Sequence, residues 1–113
     1  MTRSILFTIS FCLVFATPLL SQDDKFDLDN EYSKEFYQKG VRAFHNTQYE
    51  YAITNFLKAL SYKEDNSNAR YFLGESYRKA GYNDSALFVW NSLLSMGYED
   101  RWLKNRISYI YNK

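Results

Sequence analysis

The chain has 113 residues, 46% of them hydrophobic and 24% charged, with a formal net charge of +1. Such a composition folds and does not stay disordered, fits one small domain, and sets up no global field that would draw in nucleic acid or anionic lipid. One proline and four glycines are too few for many tight hairpins, so long helices are expected.

The first stretch, MTRSILFTISFCLVFATPLLSQ, has one basic residue, Arg3, followed by an apolar run from Ile5 to Leu20. A charged start, a short apolar middle and a small residue at the exit are the layout of a secretory signal peptide, here residues 1–21. Cleavage after Ala16 or Ser21 fits, and Ser21 is preferred because it leaves a polar start. An uncleaved leader would make the chain a membrane-tethered one, although the run is short against the ~20 residues of a spanning helix. Cys12 is preceded by Phe11 and followed by further apolar residues, which does not suit a lipid anchor. Removing the leader removes this cysteine, so disulfides, thiol catalysis and cysteine metal sites are not expected. It also removes Arg3, which leaves thirteen basic and thirteen acidic side chains.

Residues 22–32 are acidic and read as a solvated linker, with Asp29 or Ser33 available to cap a helix. Helices are then expected at about 31–45, 48–62, 67–80 and 84–96, with a fifth over EDRWLKNRISYIYN. Gly81 and Gly97 sit where left-handed helix ends are wanted. Glu99 and Asp100 suit the positive end of the fifth helix.

In YAITNFLKAL, residues 51–60, the apolar stripe holds small residues at Ala52 and Ala59 with a ring at Phe56 between them. A shift of 34 positions places Gly40 on Gly74, Ala52 on Ala86, Phe56 on Trp90, Tyr37 on Tyr71 and Leu60 on Leu94. One offset therefore aligns small residues and large rings together, as expected of a two-helix repeat.

These residues resemble the tetratricopeptide repeat. The family's first helix, W-x2-L-G-x2-Y, is matched by Leu73, Gly74 and Tyr77, with Arg70 in place of the tryptophan. In the first unit Phe36, Lys39, Gly40 and Ala43 stand at these places. The second-helix pattern A-x3-F-x2-A is met by Ala52, Phe56 and Ala59, then by Ala86, Trp90 and Leu93. The proline that usually closes a unit is missing from both. The resemblance implies an all-α fold: repeats at 33–66 and 67–100, and a capping helix at 101–113. Small residues are expected at the helix crossings, with Phe56 and Trp90 filling the space between units.

The resemblance also implies a concave groove made by the first helix of each unit. Its expected residues are Tyr37, Val41 and Phe44, then Tyr71, Glu75 and Arg78, then Trp102, Arg106 and Tyr109. Such a groove would take a protein or peptide, since tyrosine and arginine are frequent interface anchors. The carboxylate clamp of some members is not expected, because only Arg106 of the five matching positions fits it. A glycan, such as peptidoglycan, stacked on exposed rings is the alternative.

Catalysis is not expected. His45 is the single histidine and sits near a helix end, and the acids are scattered, so neither a metal nor a cofactor site is visible. Arg101, Lys104, Arg106 and Lys113 read as a solvated helix face and not as a nucleic-acid site. The apolar content of ISYIYNK suggests that the last helix docks on something, self-association included. The expected role is a non-catalytic scaffold or binding module, exported to the cell envelope.

Overall fold

A computed structural model describes residues 25–112. The expected signal peptide lies outside the described residues. Those described form five helices joined by short turns: α1 over residues 25–45, α2 Tyr49–Tyr62, α3 Ser67–Ala80, α4 Asn83–Ser95 and α5 Arg101–Tyr111. No strand occurs among them, and none of their helices is long and apolar enough to cross a membrane.

The helices pack as two hairpins, α1 with α2 and α3 with α4, and α5 lies against α4. Each hairpin is built around one glycine and one ring. A Cβ placed on Gly40 would come within 2.6 Å of the Phe56 ring, and one on Gly74 would overlap the Trp90 indole. The bare backbone of the first helix is what lets each ring come so close to it. Phe56 and Trp90 are both fully buried, each worth about 1.5–3 kcal/mol of burial. Ala52, Ala59 and Ala86 are fully buried as well. Tyr77 is half-buried between the two cores, touching both the Phe56 and the Trp90 clusters.

The turns repeat with the helices. The amide of Gln48 donates to the Ala43 carbonyl at 2.9 Å, and that of Tyr82 donates to the Tyr77 carbonyl at 2.8 Å. The residue before each is left-handed: Thr47 at φ 60° and Gly81 at φ 92°. These are the paired helix-end bonds that silence orphan carbonyls. The starts of α3 and α5 also match, since the Asn66 side chain accepts from the Ala69 amide and Asp100 from the Trp102 amide.

One expectation is corrected. Residues 25–32 are not a loop but part of α1, and neither Asp29 nor Ser33 caps it. The stretch is solvated, as its charges require, but it has no glycine or proline to stop a helix from running back through it. Ser33 is instead buried, and its hydroxyl accepts from Asn66 Nδ2 at 3.1 Å. On α5, Ile107 and Ile110 pack inward on the Trp90–Leu93 cluster, whereas Tyr109 and Tyr111 of the same stretch are exposed with Lys104, Asn105 and Ser108. Arg70, which stands where the family pattern has tryptophan, is held at three of its nitrogens. Its Nε and Nη2 donate to the Glu64 carbonyl and its Nη1 to Ser92 Oγ, which ties α3 to the preceding turn and to α4.

Candidate interaction groove

The first helices of the hairpins, α1 and α3, together with α5, carry the residues expected to line a groove. Glu75, near the middle of α3, is the most unusual of them. It is only 5% exposed. Its Oε2 accepts from Arg78 Nη2 at 2.9 Å, and its Oε1 lies 3.3 Å from Arg106 Nε on α5. The latter contact is an ion pair without hydrogen-bond alignment, which leaves Glu75 Oε1 buried without a hydrogen-bond partner, as Arg78 Nε is too. Removing two charges from water offsets much of what such a pair gains, so its main effect is to fix geometry. Here it fixes the Arg106 side chain against α3.

Stacking completes the arrangement. The Arg106 guanidinium sits 4.9 Å from the centre of the Trp102 ring, and Trp102 packs on Tyr71 with ring centres 4.0 Å apart. Burial first, and then the Glu75 carboxylate, push the Tyr71 phenol up to about 12. Asp100 adds to the shift and Arg106 opposes it. The backbone carbonyl of Tyr71 accepts the Trp90 indole N–H at 3.2 Å. The core of the second hairpin is thereby linked to the surface cluster.

The α1 residues behave differently. Tyr37 leans on Phe56 and Phe72 with ring centres 6.0 and 6.1 Å away, and burial raises its phenol too. Phe44 also meets Phe72, at 5.6 Å. Tyr37, Val41 and Phe44 are therefore half-buried flanks of the first core and not free anchors. Two hollows lie along these helices, only the first of them bordered by Tyr37 and Val41. One, of about 310 Å³, is lined by Tyr37, Gln38, Val41 and Arg42. The other, of about 330 Å³, lies between α3 and α5 and is lined by Tyr71, Phe72, Tyr98 and Leu103 among others.

The structure thus brings Tyr71, Glu75, Arg78, Trp102 and Arg106 into one cluster and places Tyr37, Val41 and Phe44 beside it across Phe72. Tyr109 is exposed further along α5. Sequence reasoning missed Phe72, which touches Tyr37, Phe44, Phe56 and Tyr71. The available signal was its place among the five clamp positions, where the resemblance sets it on the groove side of α3. It also missed Tyr98, which lies in the turn before α5, where no periodicity operates.

No three histidine, cysteine, aspartate or glutamate side chains among the described residues are grouped to hold a metal ion. His45 is exposed at the end of α1, its ring edge-on to Phe44. Comparison of the chain with protein-family models, with curated proteins and with solved structures finds no match.

Proposed function

We propose that the chain is an exported, tetratricopeptide-like module of two repeats and a capping helix, and that it binds a protein or peptide segment without catalysing a reaction. The 34-residue recurrence of glycine–ring crossings and of turn bonds supports the repeat reading. The apolar run behind Arg3 supports export.

The observation that carries the binding reading is the Tyr71–Trp102–Arg106 stack, braced from below by buried Glu75. Arginine and aromatic side chains held in one rotamer lose little entropy on binding, which makes them effective anchors. A bound extended segment would lie across α1, α3 and α5, its side chains entering the two hollows.

Stacking of a glycan is less favoured. Trp90 is fully buried, and the Trp102 ring is engaged by Tyr71, Trp90 and Arg106. A sugar would have to stack on exposed tyrosines such as Tyr51 on α2 and Tyr111 on α5, which lie on different helices.

Selection from a random peptide library, followed by titration calorimetry, tests the groove. Peptides are expected to be selected, and Arg106→Ala is expected to weaken them on the order of tenfold or more. Phe88→Ala, an exposed change on α4, serves as a control and leaves binding intact. Peptides indifferent to Arg106→Ala would overturn the groove assignment. A tryptophan fluorescence change on adding peptidoglycan fragments would favour the glycan reading.

A further inference from the structure

We propose that two copies of this chain associate through α1, the acidic N-terminal overhang of each lying on the basic end of the other's first hairpin. The inference concerns a different face from the groove and does not depend on it.

The first observation is the length of α1. It covers residues 25–45, whereas its hairpin partner α2 has fourteen residues. Residues 25–32 therefore run past the helix that should cover them. Phe26, Leu28 and Tyr32 on this overhang are 69%, 47% and 42% exposed. Leu28, Tyr32 and Phe36 are spaced four apart and form one stripe that continues into the hairpin. There Tyr62 of α2 extends it, with its ring 5.8 Å from Phe36 and nearly parallel, and 5.2 Å from Tyr32.

The second observation is charge. The overhang carries Asp27, Asp29 and Glu31 against Lys25 alone. The other end of the stripe is basic. The Lys39 and Lys58 ammonium groups both lie over the Phe36 ring, at 5.0 and 5.3 Å. Only Lys39 has an acidic partner among the described residues, Glu35 at 3.0 Å, and that pair is exposed. An apolar stripe that is acidic at one end and basic at the other is complementary to itself under a two-fold rotation. This is the requirement of an isologous dimer. Two antiparallel α1 helices would set Leu28 and Tyr32 of one molecule near Phe36 and Tyr62 of the second, and the overhang acids near the lysines.

The test uses the full chain, expressed with its own N-terminus in an exporting host, with Cys12→Ser to exclude disulfide dimers. Light scattering over a concentration series gives the molar mass. A mass approaching twice the monomer is expected. Two charge-reversed variants follow, one carrying Lys39→Glu and Lys58→Glu, the other Asp27→Lys, Asp29→Lys and Glu31→Lys. Each alone is expected to run as a monomer, with dimerisation weakened on the order of tenfold or more. An equimolar mixture of the two is expected to recover the dimer mass, because both contacts are again complementary. That recovery also shows that both variants are folded. A wild-type chain monomeric at every concentration would overturn the proposal. So would a dimer insensitive to both sets of changes, or a mixture that stays monomeric while circular dichroism shows native helix in each variant.

Discussion

Replacing Gly74 by alanine is the sharpest test of how the hairpins are built. The added Cβ would occupy space now held by the Trp90 indole, its nitrogen above all. The indole cannot move aside freely, because it is fully buried and its N–H donates to the Tyr71 carbonyl at 3.2 Å. Overpacking of this kind costs about 1–3 kcal/mol. Disturbing the hydrogen bond adds about 0.5–1.5 kcal/mol. Alanine in place of glycine inside a helix returns about 1 kcal/mol. The balance is a loss of about 2 kcal/mol, or a midpoint lowered by roughly 10 °C in a domain of this size. Gly40→Ala should cost less, since the ring it meets, Phe56, has no polar atom to strand. Thermal and urea unfolding followed by helix ellipticity would measure both. If Gly74→Ala melts at or above the wild-type midpoint, the close crossing is not what holds α3 to α4 and the argument fails.

Two further outcomes follow from the turn and the groove. Thr47 is the one non-glycine residue among those described with a positive φ, 60°, at the place that Gly81 occupies in the second hairpin. A β-branched residue there carries a left-handed penalty of about 1–2 kcal/mol. Thr47→Gly should remove it and give back about 0.4–1 kcal/mol through unfolded-chain entropy. Urea denaturation should therefore show a net gain of about 0.5–1 kcal/mol, and an unchanged or lower midpoint would refute the strain. The alkaline limit should report Tyr71, whose phenol burial and Glu75 push from 10.0 to about 12. Below pH 10 the phenol is neutral in both states and the native state loses nothing. Between pH 10 and about 12 the unfolded chain gives up the proton while the native one keeps it, so stability falls as pH rises. Denaturation midpoints over this window should fall less steeply for Tyr71→Phe, and equal slopes would refute the assignment.

Much of the fold was legible because local and tertiary signals repeat together. The offset of 34 matched Gly40 to Gly74 and Phe56 to Trp90, and within each hairpin the glycine backbone meets the ring, Gly40 with Phe56 and Gly74 with Trp90. Gly81 and Gly97 were legible as helix ends, since both take a left-handed φ, 92° and 93°. The N-terminal limit of α1 was not. Charge tells whether a stretch is solvated, not whether it is helical, and the preference of Asp29 and Ser33 for a cap is a weak prior that tertiary contacts such as Ser33–Asn66 override. The groove was legible only as a set of helix faces. Periodicity put Tyr37, Phe44, Tyr71 and Glu75 on one side of their helices. It could not show that Phe72 would draw the first two into the core, or that Glu75 would be buried beneath Arg106. Those outcomes depend on which long side chains reach across between helices.

The two hairpins differ in what they offer to a neighbour, and the difference bears on how the stack ends. The second hairpin meets the first with Ala69, Leu73, Ala80 and Val89, all apolar and packed on the Phe56 cluster. Shifted back by 34, the same positions in the first hairpin hold Glu35, Lys39, Asn46 and Asn55. A further hairpin stacked there in the same manner would have to strip water from an exposed Glu35–Lys39 pair, which regains little in exchange. Repetition of the apolar contact is therefore disfavoured at this end. The face still carries Phe36 and Tyr62, each accessible in part beside two lysines. Rings flanked by cations suit a partner that brings apolar side chains and carboxylates together. The α1 overhang, with Leu28 and Tyr32 among Asp27, Asp29 and Glu31, has that composition. The same side chains that keep a third hairpin off the stack thus make the end a fit for the overhang of a second copy.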